Sequence, residues 1–247
     1  MTNTDVVDWR VWKAATVAAD AGIAKAGDQI YVCTKVDASV HGPFSFITPS
    51  PISLALEIAI AAARSATESR AALIPTKRPT GEAWLEVPQL DDLYRCFQQS
   101  MVAVTFSYQS LEAFSNHLIA EARVARFSIE RRGKTEQWSA EEVERRCSTE
   151  EKVGAILPDI AKLKTVKGTA LWARLLELKD LRDSTIHLKS LDQYVRGAPD
   201  NKTLYYRLLS ADLLDGPRLA IEIIEHYSDP KSLAWLTKPK AMLTAAS

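Results

Sequence analysis

Cysteine is scarce in this sequence. The three cysteines, Cys33, Cys96 and Cys147, stand far apart, and no Cys-x-x-Cys pair occurs. This spacing argues against a disulfide framework and against a structural zinc site, and it is typical of proteins in a reducing cytosol. Residues 1–8 are acidic and lack the apolar core of a signal peptide, so we expect a cytoplasmic location.

Long apolar runs and net charge are also lacking. The longest apolar stretch, 52–63, is interrupted by Glu57 and falls short of the about 20 residues that a membrane-spanning helix needs. The 31 basic and 31 acidic residues cancel. Bulk attraction to nucleic acid or to a membrane is therefore not expected, and any nucleic-acid binding must come from a local patch.

Several motifs of well-known enzymes do not occur. The sequence has no Gly-x4-Gly-Lys-Ser/Thr, no Gly-x-Gly-x-x-Gly, no His-Glu-x-x-His and no Gly-x-Ser-x-Gly. Nucleoside-triphosphate hydrolysis, zinc-dependent hydrolysis and esterase chemistry therefore have no support. No metal and no other cofactor is predicted.

What the sequence does contain is helical periodicity. From residue 89 to residue 124, apolar residues recur every three or four positions, which predicts one long amphipathic helix. Three further helical patterns follow, the last of them kinked at Gly216-Pro217. Together they predict an all-α bundle whose later helices cover residues 149–163, 169–189 and 202–227.

A small β-hairpin is predicted inside this bundle. Residues 127–138 alternate in polarity on each side of an Arg-Arg-Gly-Lys turn. Ser139, with Glu142 three positions later, then predicts a capping box at the start of the next helix.

The region before the long helix is predicted to be a mostly helical extension. We expect a helix over residues 8–26 with Asp8 as its N-cap, and a second helix from Pro51 to about residue 72. Short strands are expected within 29–36 and at 44–47.

The prolines and glycine of residues 73–88 predict the clearest boundary in the chain. The predicted organisation is an N-terminal extension (1–88), a helical domain (89–236) and a frayed C-terminal tail (237–247).

Residues 181–188, Leu-Arg-Asp-Ser-Thr-Ile-His-Leu, are the candidate site. At about 100° per residue, Arg182 falls on the apolar stripe of its helix, so its charge needs an acceptor. Asp183 and His187 are four positions apart on a neighbouring face, where the carboxylate is expected to orient the imidazole. Arg182 and His187 lie about 140° apart. One regular helix therefore does not aim both at one point.

These residue types suit cleavage of a phosphodiester without a metal. An imidazole transfers protons near neutral pH, and a guanidinium offers a fixed fork of donors to phosphate oxygens. The convenient nucleophile is then the ribose 2′-hydroxyl, which restricts the chemistry to RNA. The alternative is that His187 is a packing or capping residue of a helix.

The segment from Leu178 to His187, Leu-Lys-Asp-Leu-Arg-Asp-Ser-Thr-Ile-His, resembles the Arg-x4-6-His motif of HEPN domains, in the common form with Asn, Asp or His directly after the arginine. The resemblance covers about residues 89–228. It implies a helical bundle that acts as a metal-independent ribonuclease of toxin–antitoxin or other prokaryotic defence systems. It also implies a homodimer in which two copies of the motif converge on one composite site.

By this resemblance Arg182 and His187 are catalytic and Asp183 supports them. The long helix adds weaker candidates in Glu112, Asn116 and His117, which are similar to the polar positions of the first HEPN helix. For these three, a solvated or inter-helix polar contact is the alternative. A subgroup of the family continues His-x-Tyr and is modified on that tyrosine. Here Lys189 occupies the position, so that control is not expected.

Two basic stretches predict a surface for RNA. Residues 123–134 and 162–189 each carry a local excess of positive charge, which would hold a phosphate backbone if it lies on one face. The alternative is an ordinary solvated helix surface. The predicted RNA-binding residues are Arg123, Arg126, Arg131, Arg132, Lys134, Lys179 and Lys189.

Two functions are compatible with the sequence. The first is a dimeric HEPN-type endoribonuclease in a toxin or anti-phage defence role, with RNA as substrate and an antitoxin or defence protein as regulating partner. The second is a non-catalytic HEPN-like helical module for interaction or nucleic-acid binding. It predicts that Arg182 pairs with a buried acid of its own chain and that His187 points away from any cleft. Residues 1–88 are a candidate regulator or partner-docking surface.

Overall fold

The computed structural model of the chain describes residues 8–12, 14–18, 25–37, 40, 42–79, 81, 83–193 and 202–244. These residues are mostly helical, with short strands in antiparallel pairs. The chain divides into two compact units, of which the first ends at Leu54 and the second begins at Ala55. This division comes earlier than the proline-rich segment 73–88, where the sequence predicts a boundary.

The first unit contains two β-hairpins. Strand β1 (Ala14–Thr16) pairs with β2 (Gln29–Tyr31), and β3 (Cys33–Val36) pairs with β4 (Phe44–Ile47). The strands predicted within 29–36 and at 44–47 are confirmed.

The helix predicted over residues 8–26 is wrong where the structure describes the chain, because β1 lies inside that range and Asp8 caps no helix; residues 13 and 19–24 lie outside the described residues. The Val17 amide donates to the Asp28 carbonyl, and the Gly27 amide donates back to Val17. Gly27 adopts a φ of 94°, which glycine accepts without strain and which turns the chain toward β2. The backbone hydrogen bonds of this alanine-rich stretch are therefore made across a hairpin.

Helix α1 (Pro51–Ala71) begins at the predicted proline and runs from the first unit into the second. The segment after it forms a small strand pair, β5 (Thr76–Lys77) with β6 (Ala83–Trp84), and a 3-10 turn at Val87–Gln89.

The second unit is organised around the long helix α2 (Leu90–Glu121), which confirms the longest predicted helix. Helices α6 (Ala170–Ile186), α8 (Leu204–Ser210) and α9 (Asp215–Tyr227) all pack on it. A Cβ atom added to Gly216 would lie 2.8 Å from the Ser107 hydroxyl. The first turn of α9 therefore approaches α2 more closely than a side chain at position 216 would allow.

The predicted hairpin and capping box are both confirmed. Strand β7 (Phe127–Arg131) pairs with β8 (Lys134–Trp138), and Arg132 and Gly133 at the turn both have positive φ, 48° and 73°. Such turns match the twist of paired strands. Ser139 and Glu142 cap helix α3 (Ala140–Arg146) reciprocally.

The helix predicted over residues 149–163 contains an irregular turn. It runs as α4 (Thr149–Glu151), a π-helical turn (Lys152–Ile156) and α5 (Leu157–Ala161). A second capping box, Ser148 with Glu151, starts it. The carbonyls of Val153 and Gly154 in the widened turn accept hydrogen bonds from the hydroxyls of Tyr227 and Thr165, at 2.9 and 2.7 Å.

Three predictions about the later helices are wrong: the end of one helix, the position of a break and the structure of the tail. Helix α6 ends at Ile186 rather than at Lys189, and the short helix α7 (Ser190–Gln193) follows. The break between α8 and α9 precedes Gly216-Pro217, because Pro217 stands in the first turn of α9, where a proline needs no backbone donor. The tail predicted to be frayed contains helix α10 (Thr237–Thr244); residues 245–247 of that tail lie outside the described residues.

Within the described ranges, no helix combines the length and the apolar character that crossing a bilayer requires.

Candidate active site around Arg182

Helix α6 is fixed in the second unit by apolar packing and by one arginine. Leu175 and Leu178 are buried. Arg174 reaches α9, where its guanidinium binds Asp215 at 2.6 Å and Glu222 at 2.7 Å. Both carboxylates raise the pKa of Arg174, which keeps it charged. Arg174 was predicted as part of a basic run, but the structure uses it to join two helices.

Arg182 faces the core side of α6, as the helical wheel predicts. Its guanidinium carbon lies 4.0 Å from the centre of the Tyr108 ring on α2, and Nη1 lies 3.1 Å from Oδ1 of Asp183. The side chain is 23% exposed, and its buried Nε atom has no hydrogen-bond partner within the described ranges of the chain. A guanidinium stacked on an aromatic face gains about 0.5–2 kcal/mol, more as water is removed.

The Tyr108 side chain is fixed by a hydrogen bond to Glu150. Its hydroxyl donates to Oε2 of Glu150 at 2.7 Å, and the side chain is 4% exposed. Burial, together with the Glu150 carboxylate, raises the pKa of Tyr108 to about 12, so the phenol is neutral at physiological pH. The aromatic face under Arg182 therefore has a fixed orientation and carries no charge.

Lys179 contacts both Asp183 and Glu150. The ammonium of Lys179 lies 2.7 Å from Oδ2 of Asp183 and 3.5 Å from Oε1 of Glu150, and hydrogen bonding to Asp183 raises the pKa of Lys179. We call these five residues the Arg182 cluster: Tyr108, Glu150, Lys179, Arg182 and Asp183. Its two cations and two carboxylates alternate, so Arg182 is held without a net local charge.

His187 is the first residue after α6. Its backbone (φ −115°, ψ 74°) leaves the helical region, its side chain is exposed, and its amide donates to the Asp183 carbonyl at 2.9 Å. The predicted side-chain pair of Asp183 with His187 is wrong, since the carboxylate of Asp183 is taken by Lys179 and Arg182. Asp183 therefore supports the arginine rather than the imidazole.

The turn that follows His187 is fixed by Asp192. This carboxylate is buried and accepts hydrogen bonds from the amides of Lys189, at 3.0 Å, and Leu204, at 2.7 Å. Since Leu204 is the first residue of α8, Asp192 ties the chain after His187 to the start of that helix.

The candidates on α2 belong to a different place. The Asn116 amide oxygen accepts from the ammonium of Lys152 at 2.8 Å, and the Glu144 carbonyl accepts from the same ammonium at 2.9 Å. Lys152 is 1% exposed, and burial lowers its pKa. Glu112 is exposed and acts electrostatically on Lys152, and His117 is half-buried. Asn116 is thus an inter-helix contact.

The predicted RNA-binding residues divide into two groups. Arg126, Arg131 and Lys179 each form an ion pair within the chain, with Glu142, Glu151 and the Arg182 cluster respectively. A second group is exposed and forms no ion pair within the described part of the chain; it consists of Arg123, Arg132, Lys134 and Lys189.

A cleft of about 440 Å³ lies between α6, α8 and the start of α9. Arg174, Arg207 and Tyr206 line it, over an apolar floor that includes Leu178 and Leu181. Neither Arg182 nor His187 is among its lining residues, so the sequence motif and this cleft are separate features of α6.

Comparison with known proteins adds no relative. No protein-family model, no curated protein and no solved structure matches this chain. The resemblance to HEPN domains therefore rests on residues 178–187 and on the helical pattern around them.

Over the ranges that the structure describes, no group of three or more His, Cys, Asp and Glu side chains is arranged to hold a metal ion.

The sequence did not reveal the roles of Tyr108 and Glu150. Tyr108 is one of the residues in the apolar periodicity of 89–124, but that periodicity gives no reason to single it out. One signal was present: a tyrosine in a buried seam needs an acceptor for its hydroxyl. Glu150 sits in the first turn of α4 beside a capping box, where an acid is expected for helix capping alone.

Proposed function

We propose that the chain is a metal-independent endoribonuclease of the HEPN type, with a toxin or anti-phage defence role and a composite site at a homodimer interface. The observation that carries the proposal is the placement of the two motif residues. Arg182 is held on the core side of α6 by Tyr108 and Asp183, while His187 is exposed at the end of the same helix.

In this proposal the ribose 2′-oxygen attacks the adjacent phosphorus as His187 takes the 2′-hydroxyl proton. The bond from phosphorus to the 5′-oxygen breaks, and the leaving oxygen receives a proton from the imidazolium of the second copy. The products are a 2′,3′-cyclic phosphate and a 5′-hydroxyl end. Arg182 stabilises the charge that develops on the phosphate oxygens, which is the role a guanidinium fulfils best.

The outer face of α6 supports association of two copies. Leu176 is 41% exposed on α6, and on either side of His187 the apolar side chains of Ile186 and Leu188 are 53% and 55% exposed. Apolar side chains left in water around a polar centre are a feature of interaction surfaces. Convergence of two α6 ends there would bring each His187 toward the other copy's Arg182.

The decisive experiment is incubation of the purified protein with RNA in EDTA. Because general acid–base catalysis contributes about 10²–10⁴-fold, His187→Gln, which cannot transfer protons, should lower the cleavage rate by about that factor. Arg182→Ala should lower it similarly. Arg145→Ala, an exposed arginine of α3, is the matched control and should cleave at the wild-type rate.

Replacing the RNA by a strand with 2′-deoxyribose should abolish cleavage, and the products should end in cyclic phosphates. Equal rates for wild type and both site variants would show that any activity comes from another site or a contaminant, and the proposal would then be wrong.

A second function is favoured by one observation. Arg182 pairs with Asp183 of its own chain and lies on Tyr108, which is close to the arrangement expected of a non-catalytic helical module that uses α6 for interaction or nucleic-acid binding, although the Asp183 side chain is 34% exposed rather than buried. That reading predicts RNA binding or dimer formation without cleavage. Binding measured by fluorescence anisotropy, together with the EDTA cleavage experiment, distinguishes the two.

A further inference from the structure

Arg182 is held by contacts that the motif does not contain. The motif supplies Arg182, Asp183 and His187, but the aromatic face under the guanidinium comes from α2 and the acid under that ring comes from α4. Three separate elements thus converge on one guanidinium.

We infer that Tyr108 is the positioning residue of this site, holding the Arg182 guanidinium in one plane so that its outer edge meets a phosphate. This inference rests on the proposed function, because it assigns Tyr108 a role in that reaction. The phenol does not touch the substrate; it acts through Arg182.

The geometry gives Tyr108 this role rather than a packing role alone. The ring centre lies 4.0 Å from the guanidinium carbon, which is the distance of a direct stack. The hydroxyl of Tyr108 is anchored by Glu150 at 2.7 Å, so the ring cannot tilt without breaking a hydrogen bond to a carboxylate.

The buried Nε atom of Arg182 points to the same conclusion. Nε is buried and has no hydrogen-bond partner among the residues that the structure describes. The contacts that hold the guanidinium are the Tyr108 ring and the Asp183 carboxylate at Nη1. A clamp of this kind loses little conformational freedom when phosphate binds, which is how preorganised groups stabilise transition states.

The first arm of the test uses the protein alone. In the ¹H–¹⁵N NMR spectrum, the Nε–H signal of Arg182 is identified by its disappearance in Arg182→Ala. We expect it to be shifted by the ring current of Tyr108 and to exchange slowly with water. Tyr108→Phe should keep the shift, and Tyr108→Leu should abolish it. Tyr94→Leu, an exposed tyrosine of the same helix, is the control and should change nothing.

The second arm is a double-mutant cycle in RNA cleavage. Tyr108→Leu should lower kcat by about 10- to 100-fold, as a small misplacement of a catalytic group does. Tyr108→Phe should stay within about fivefold of wild type. In the Arg182→Ala background, Tyr108→Leu should have no further effect. A merely structural tyrosine would instead give effects that multiply and that follow the melting temperature.

The possible results distinguish the proposed ribonuclease function from the positioning role of Tyr108. An Arg182 signal at the same position in wild type and Tyr108→Leu overturns the inference, whatever RNA does. Wild-type cleavage that Tyr108→Leu leaves intact also overturns it. Absence of cleavage by the wild type overturns the proposed function and the kinetic role with it, while the NMR arm still decides whether Tyr108 holds Arg182. Should Tyr108→Leu fail to fold, Tyr108→Met fills more of the same space and replaces it.

Discussion

Lys152 is a buried lysine whose ammonium is hydrogen-bonded within the protein. Its ammonium is removed from water and receives two acceptors, the Asn116 amide and the Glu144 carbonyl, from two different helices. A buried charge needs such partners, since an unpaired one costs several kcal/mol. Lys152 thereby joins α2, the end of α3 and the π-helical turn through one atom.

The first residue-scale prediction concerns Lys152 and pH. Burial lowers its pKa in the folded state below the ordinary value of 10.5. The lysine therefore stabilises the folded state least at neutral pH, and its contribution rises as the pH approaches 10.5. In Lys152→Met this dependence should be lost. Urea unfolding of both proteins at pH 7 and pH 9.5 measures it, and wild type should gain stability relative to the variant.

The control for this prediction is Lys35→Met, whose lysine is 70% exposed. Its free energy of unfolding should differ from wild type by the same amount at both pH values. Parallel pH profiles for wild type and Lys152→Met would show that burial does not shift the titration of Lys152.

For the motif residues, the sequence predicts the orientation of a side chain better than its partner. That Arg182 faces inward followed from the helical wheel, because the apolar positions around it fix the buried side. The partner of Asp183 did not follow. Asp183 has a cation four positions before it, Lys179, and a histidine four positions after it, His187, and both satisfy the same spacing rule. In the structure Asp183 pairs with Lys179, because α6 ends before His187 and because Glu150 of α4 binds the same lysine.

At the scale of elements, the long helix, the 127–138 hairpin, the capping box and the start of α1 were predictable because local patterns specify them. Strand β1 was not. Its alanines fit a helical spacing, and its true partner is β2, more than ten residues away across the turn at Gly27. Pairing between distant segments leaves little trace in a short window of sequence.

The element-scale prediction concerns Asp192, which links the turn after His187 to α8. In Asp192→Ala the amides of Lys189 and Leu204 lose their acceptor, and for Leu204, which is buried, an unsatisfied amide costs about 1–3 kcal/mol. We expect the free energy of unfolding in urea to fall by roughly that amount or more.

Asp229→Ala is the matched control. Asp229 is exposed and caps a short 3-10 turn, where it accepts from the Lys231 amide. Its loss should cost at most about 1 kcal/mol. Similar losses for the two variants would mean that Asp192 is an ordinary surface cap.

At the scale of the whole molecule, charge balance is the informative property. With a net charge of zero, long-range attraction to RNA depends on which cations lack acids of their own. Arg132 and Lys134, at the tip of the β7–β8 hairpin, are exposed and form no ion pair with any residue that the structure describes, whereas Arg126 before β7 and Arg131 at its last position are paired with Glu142 and Glu151.

The corresponding prediction is a change in salt dependence. If Arg132 and Lys134 contact phosphates, their joint replacement by alanine should lower the slope of log affinity against log salt concentration by about 1.4, at roughly 0.7 per contact with a single strand. Fluorescence anisotropy with a labelled RNA over a range of salt concentrations measures it. Arg145→Ala, whose arginine already has Glu141 as its acid, should leave the slope unchanged. An unchanged slope in the double variant would remove the hairpin tip from the RNA surface.

The π-helical turn at Lys152–Ile156 has a consequence for the length of the chain. A π-turn holds one residue more than an α-helical turn of the same reach. Ala155 is exposed, and its deletion would return the helix to regular α geometry without emptying the core. Because the α-helical turn that remains has the same reach, the segments before and after it would keep their relative rotation, and Glu150 would stay at Tyr108. A one-residue deletion here would thus leave the support of Arg182 in place, whereas the same deletion in a regular α-helical stretch would rotate the flanking segments by about 100°.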